Sequence, residues 1–434
     1  MNKFLFIICL FFFSSVEATA PKELISRHGI KFLFMNDGSS SLIHIKIAFR
    51  NSGAAHQEKS NAGLPLFYAA TVFCGIGSYS KIQFAEVCSN LSARISCHSD
   101  MDNLYFSMTV PAMVLKEATS LFNLAIKSPN FEEDKIKEIQ NNIAGYIQSY
   151  SSNTSDIVSS SIIPSIIFKS HQYENGEFGF PEDLMKLSRN DLKNYKAKFL
   201  VTSNAEVCVF GDISEVEAIA LIDKIFSGIE KGKAAADNIQ DVAPKLNSEI
   251  KKYYVEGPQS SVFLVLKTER PQSPKRHAAL LLNRILGEGY AFKARILSKL
   301  RTEKGLIYSG GINTVNLNHA SYVLGTLKTD NSKVEEAIDL LKVIIKDLRE
   351  NGLSESELQF AKNNIKGTLL VGLRTSNALC HFYFYRKLLG FETVALAETM
   401  EKIDAVSLQE VNTLASEILD ENNMSFVVVG GDIK

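Results

Sequence analysis

The residues in this chain best placed to do chemistry lie in Leu300–Gly311, LRTEKGLIYSGG. Leu297, Leu300 and Arg301 stand at helical spacing, Gly305 supplies a helix stop, and Leu306-Ile307-Tyr308 opens an extended run. Arg301 and Tyr308 therefore flank one turn and are able to face the same space. A guanidinium fork and a phenol hydroxyl together bind a peptide carbonyl or stabilise an oxyanion. The same two residues also read as an ordinary surface arginine and a half-buried tyrosine, and spacing alone does not separate these readings.

The elements that must position them form a repeated order. Gly29–Met35 and Leu42–Phe49 read as strands, with Asn36-Asp37-Gly38 between them as hairpin chemistry. In the second strand Ile43, Ile45, Ile47 and Phe49 alternate with His44, Lys46 and Ala48, the period of a half-buried strand. Helices at Gly63–Cys74 and Lys81–Leu91, strands at Arg94–Ser99 and Leu104–Val110, and a mostly helical region from Ala112 to Phe168 follow, broken near Ser151–Ser155. Leu187–Leu200 reads as a helix, Glu206–Phe210 as a strand and Ser214–Ile229 as a helix. Glu230–Glu249 carries no apolar period and reads as a linker.

Beyond the linker the order recurs. Strands at Lys252–Val255 and Val262–Leu266 precede helices at Lys275–Leu286 and Phe292–Arg301. Strands Leu306–Asn313 and Ser321–Thr326 then lead into a helical region from Ser332 to about Leu389, in which Ser354 and Glu357 make a capping box. Ala205–Ile213, ending in Gly-Asp-Ile, parallels Ser425–Ile433, which ends the same way. This predicts an α+β chain of two homologous tandem domains, 21–229 and 251–434, joined by a linker at 230–250.

The first residues set an address. Lys3, the apolar run Phe4–Phe13 and the small-x-small site Ala18-Thr19-Ala20 read as a secretory signal peptide over residues 1–20. Cleavage leaves no membrane anchor, since no later run approaches the ~18 apolar residues a spanning helix needs. Export to a bacterial periplasm is expected, and a eukaryotic secretory route fits the same leader. Formal charge is −1, from 47 basic and 48 acidic residues, which argues against a nucleic-acid partner. Cys74, Cys88, Cys97, Cys208 and Cys380 are too scattered for a disulfide framework and read mainly as buried apolar residues, with one or two bridges possible after export. Of the eight histidines no two share a short helical spacing, and Cys97-His98 on a strand point to opposite faces. There is no G-x-S-x-G, Walker A or G-x-G-x-x-G; Gly287-Glu288-Gly289 reads as a loop turn.

With the repeat and these motifs in view, the chain resembles the insulinase/pitrilysin-type zinc metallopeptidases, the inverzincins. The segment Leu286-Gly287-Glu288-Gly289…Arg295-Ile296…Leu300-Arg301…Gly305-Leu306-Ile307-Tyr308 is similar to that family's second-half signature. The resemblance runs from about Leu24 to Ile433. It implies a clam-shell of two sheets covered by helices, the LuxS/MPP-type metallopeptidase fold, and substrate-binding, transition-state-assisting roles for Arg301 and Tyr308.

The zinc motif is absent. Members that bind zinc carry H-x-x-E-H on a first-half helix, with a further glutamate on a later one. Here the ligand positions hold Leu66 and Ala70, the base position Ala69, and the later ligand position Tyr146. Leu66, Ala69 and Ala70 are expected to form an apolar, packed face. No catalytic residue and no metal or other cofactor is expected in this chain alone. The resemblance implies instead a non-catalytic subunit paired with a homologous, zinc-bearing partner, or with itself, around an extended peptide. The alternative is a catalytically dead peptide-binding or scaffold protein of the same fold.

Overall fold

The computed structural model describes residues 20–148, 155–289 and 293–431. The expected signal peptide, most of the polar break after Tyr150, Phe292 and the final Asp432-Ile433 lie outside them. Among the described residues no helix is long and apolar enough to cross a membrane.

The first half holds β1 (Lys22–Ile25), β2 (Lys31–Asn36), β3 (Leu42–Phe49), α1 (Leu64–Thr71), a short ribbon of β4 (Gly75–Ile76) and β5 (Tyr79–Ser80), and α2 (Lys81–Asn90). It continues with β6 (Arg94–Ser99), β7 (Leu104–Pro111), α3 (Leu115–Lys127), α4 (Glu133–Gln148), α5 (Ile163–Ile167), α6 (Arg189–Phe199), β8 (Ala205–Gly211) and α7 (Glu215–Ile225). The second half holds β9 (Ile250–Tyr254), β10 (Gln259–Lys267), α8 (Arg276–Leu286), β11 (Ile307–Asn316), β12 (Ser321–Asp330), α9 (Val334–Asn351), α10 (Glu355–Gly372), α11 (Ser376–Leu388), α12 (Leu396–Asp404), α13 (Leu408–Ile418) and β13 (Ser425–Gly430). The expected capping box is formed, with Ser354 and Glu357 bonding each other's backbone amides.

The two sheets share one topology. Strand order is β1-β2-β8-β3-β7-β6 in the first and β9-β13-β10-β12-β11 in the second. The closing strand runs parallel to one neighbour and antiparallel to the other in each: Val209 faces both Phe34 and Ile45, and Val427 faces both Lys251 and Phe263. The Asn36-Asp37-Gly38 turn thus does not make the hairpin it suggested, because β8 enters between β2 and β3. The turn chemistry was local, whereas the pairing is decided by a strand that arrives much later in the chain. Gly211 permits the entry: its φ is +136°, and a Cβ there would lie 2.1 Å from the Leu42 carbonyl oxygen.

One face of each sheet carries its own half's helices, and the other face is covered by the opposite half. Leu33, Met35, Ala48, Tyr105, Cys208 and Phe210 of the first sheet bury against Cys380, Tyr383, Phe384 and Leu388 of α11. Conversely, Phe263, Val265, Tyr322, Val427 and Val429 of the second sheet bury against the region around α5, including Ile163, Ile167 and Phe168. The half-buried reading of β3 is therefore corrected. His44 is 5% exposed and Ala48 fully buried, because α11 packs where solvent was expected. Cys208 and Cys380 meet in this contact with sulfurs 2.7 Å apart.

Residues 230–249 contain no helix or strand, as expected of a connection, yet they are held down. Ile239 is buried, the Val242 amide donates to the His319 carbonyl and the Lys245 amide to that of Ile167.

Candidate functional site

The helix where zinc ligands would stand is α1. It begins with Pro65 in its first turn, where a missing N–H costs nothing. Leu64, Phe67, Tyr68 and Thr71 recur at helical spacing and face the core. Tyr68 is fully buried, its ring 5.4 Å from Phe131 and 5.1 Å from Tyr195. Its hydroxyl has no partner among the described residues, and burial pushes the phenol well above its ordinary pKa. Leu66, Ala69 and Ala70 are only half-buried. The expectation that they form one packed face holds for Ala69, which lies against the first-half core, and not for Leu66 and Ala70: the aromatic stripe took the core, and a 3.6-residue period leaves those two beside it.

The later ligand position lies on α4, which packs against α1. Tyr146 is 37% exposed; its hydroxyl donates to Asp156 Oδ2 at 2.7 Å and its ring meets Phe178 edge-on at 5.9 Å. The structure thus puts the four degenerate positions on two packed helices. Three alkyl side chains and a phenol offer zinc neither an imidazole nor a carboxylate, so these residues do not fit the ion. Among the described residues no group of three or more His, Cys, Asp or Glu is placed to hold a metal.

Arg301 and Tyr308 sit at the other end of the chemistry, both on irregular backbone. The expected helix to Arg301 is instead a π-helical turn, Leu297–Glu303. It is anchored on its core side by Leu297 and Leu300 and closed by the Leu306 amide donating to the Leu300 carbonyl at 2.8 Å. Gly305 follows at φ +60°, the left-handed conformation its position as a stop implied. Upstream, Arg295 clamps the segment, its Nε and Nη1 donating to Glu357 at 2.8 Å and Asp347 at 2.9 Å. Tyr308 lies at the register shift between Ile307 and Ser309 on edge strand β11, a bulge that re-aims its side chain outward. Both residues are exposed. The Tyr308 hydroxyl donates to Asp330, which raises the phenol's pKa and lowers that of the carboxyl. Its proton is thus directed at Asp330 in this conformation.

Cys97 and His98 point to opposite faces of β6, as adjacent strand residues must. His98, exposed at its outer edge, stacks on Tyr105 at 4.6 Å, and loss of water on that stacked side first, then the charge of Lys46, lowers its pKa. Gly287-Glu288-Gly289 is a loop, joined to β11 by a bridge between Glu288 and Ile312.

Sequence reasoning missed a polar contact between the halves. Asp102, 4% exposed, accepts from the Tyr173 hydroxyl at 2.7 Å and from the Asn318 amide at 2.9 Å. Next to it His319 meets Asp237 at 2.9 Å and Asp241 at 3.0 Å, tying the connecting segment to the β11–β12 turn. Burial, and then the neighbouring Asp100 carboxylate, raise the Asp102 carboxyl to about 7. Nothing local flagged these residues, which are scattered polar positions until the halves meet.

Two family profiles match the chain. One described as "Insulinase (Peptidase family M16)" covers residues 35–178 and one described as "Peptidase M16 inactive domain" covers residues 186–365. The chain is 22% identical to a Helicobacter pylori protein described as "Non-peptidase homolog YmxG", over 100% of both chains. It is also 22% identical to a Bacillus subtilis protein described as "Uncharacterized zinc protease YmxG", over 92% of this chain and 96% of that one. A crystal structure of a peptidase M16 inactive domain from Pseudomonas fluorescens superposes with a TM-score of 0.85 at 21% identity, covering 95% of this chain and 98% of the other, so the fold is shared.

Proposed function

The chain belongs to the insulinase family, peptidase family M16, and from that premise we propose that it is the non-catalytic subunit of a two-chain zinc metallopeptidase. It is an M16-fold protein without zinc ligands or a general base at Leu66, Ala69, Ala70 and Tyr146. One observation carries the subunit reading: the zinc positions are emptied together, while Arg301 and Tyr308 stay at their spacing, exposed and aimed by a π turn and a bulge. Residues no longer used would have no reason to be held on such costly backbone.

In this reading a homologous, zinc-bearing chain exported to the same periplasmic space supplies the chemistry. This chain's Arg301 guanidinium binds a carbonyl of an extended peptide, and the Tyr308 hydroxyl, exchanging Asp330 for the substrate, donates to oxygen that gains charge. A second reading has its own support, because Tyr308 is engaged by Asp330. A chain that only binds peptides, or scaffolds an assembly, has no need to release that proton.

The test is a tagged pull-down from the native cells followed by kinetics. A stoichiometric partner bearing H-x-x-E-H is expected, with Arg301→Ala lowering turnover of the assembled enzyme about 100-fold without releasing its zinc. Recovery of this chain alone, or unchanged kinetics in both Arg301→Ala and Tyr308→Phe, removes the subunit reading.

A further inference from the structure

A cavity of about 330 Å³ opens in the second half between α8, α10, α11 and α12, within the size range of small-ligand sites. Its floor is apolar, made by Leu280, Ile365, Leu369 and Ile403 together with the rings of Phe382 and Phe391. Around that floor stand four arginines, Arg270, Arg276, Arg284 and Arg386. Arg270 is neutralised by Asp241. The other three bond, among the described residues, only to uncharged oxygens: Arg276 to the Ser273 carbonyl, Arg284 to Asn364 Oδ1 and Arg386 to the Glu392 carbonyl.

Buried polar atoms without partners gather here. The Nε of all four arginines and Oε2 of Glu288 are buried and unbonded, whereas native interiors leave few such atoms unless something else satisfies them. Arg284 is 7% exposed, and burial lowers its pKa against the opposing charge of Glu288; burial likewise lowers that of Arg386, together with the like charge of Arg276 and against Tyr383 and Glu392. Arg386 lies over Phe382 at 5.1 Å and Phe391 at 4.7 Å, so its plane is fixed while its edge stays available. Glu288 uses Oε1 to accept from the Thr314 amide at 3.0 Å, leaving Oε2 as a fixed acceptor in a cationic wall.

A ligand that answers all three features carries a carboxylate for the arginines, an N–H for Glu288 Oε2 and an apolar body for the phenylalanines. We propose that this cavity binds the C-terminal residue of a peptide, with its free carboxylate on the arginines of the wall, its amide N–H on Glu288 and its apolar side chain on Phe382 and Phe391. The site is distinct from Arg301 and Tyr308 and stands whether or not a zinc-bearing partner exists. It also lies against α11, the helix that covers the first sheet, so an anchored peptide end would reach the junction of the halves.

The experiment is isothermal titration of the purified chain, without any partner, with N-acetyl-Leu-Phe as free acid and as C-terminal amide. The acid is expected to bind and the amide about tenfold or more weakly, the loss of one charged hydrogen-bond set. Arg386→Met and Glu288→Gln are each expected to weaken the acid about tenfold, and Glu288→Gln, being isosteric, keeps the comparison valid should removal of Arg386 unfold the site. Acetate binding as tightly as the dipeptide acid would assign the arginines to simple anions and overturn the peptide-end reading. Equal affinity for acid and amide, or no binding at millimolar acid, overturns it as well. None of these outcomes bears on co-purification of a zinc subunit, so the two ideas fail separately.

Discussion

Helices α1 and α8 hold the same place in the two halves. Each follows the strand beside the closing strand, β3 or β10, and each packs against a long helix, α4 or α10. Their interiors differ. Helix α1 buries Leu64, Phe67 and Tyr68, lays Ala69 against the same core and leaves Leu66 and Ala70 half-buried outside it, and none of these last three can ligate or relay a proton. Helix α8 keeps polar groups inside: Asn283, 2% exposed, donates to Thr268 and Thr314 at 3.1 and 3.0 Å, and Arg284 faces a cavity. The difference teaches that one scaffold position tolerates either an aromatic-packed helix or one whose polar side chains face a cavity.

That contrast can be broken most forcefully by restoring metal chemistry to α1. Leu66→His, Ala69→Glu and Ala70→His combined with Tyr146→Glu should retain one zinc per chain by elemental analysis, where the parent should retain none. The altered positions are at most half-buried, so folding should survive. Failure to hold zinc in a folded variant would show that this face is not oriented as a ligand face.

Next in size, Phe67→Ala on the buried face should cost about 3–5 kcal/mol in denaturant unfolding. Leu66→Ala on the other face should cost well under half of that. Similar losses would mean that both faces are packed.

Between the halves, the Asp102 carboxyl carries a pH dependence. Its pKa is raised from 3.8 to about 7 by burial and by Asp100, so the folded chain keeps a proton that the unfolded chain loses. The folded state therefore binds more protons across that interval, and stability falls as pH rises from about 4 to about 7, then levels. Asp102→Asn should flatten this part of the stability–pH curve; an unaltered slope would place the dependence elsewhere. The smallest effect expected is at Tyr68. Removing its unpartnered hydroxyl with Tyr68→Phe should leave the melting temperature unchanged or slightly higher, whereas a large fall would reveal a hidden partner.

Much of this organisation was legible before the structure. Gly305 and Ser354 with Glu357 carry local physics, a left-handed stop and a cap, and each appears where the residues placed it; the Ile43–Phe49 run is the strand its period marked, though buried on both faces. That Leu66, Ala69 and Ala70 offer a metal no ligand was legible too, because a leucine or an alanine has no donor in any fold. The π turn and the bulge that aim Arg301 and Tyr308 were not, since spacing tells a helix from a strand but not a one-residue irregularity within either.

What the chain by itself determined, then, is largely the kind and order of its elements, because these follow from periodicity over a few residues. Only the tertiary structure decided that β8 would part β2 from β3, that α11 would bury His44 and Ala48, and that Asp102 would meet Tyr173 and Asn318. Those outcomes rest on contacts between segments far apart in the chain, and a local pattern marks a face as able to be buried without specifying what will cover it.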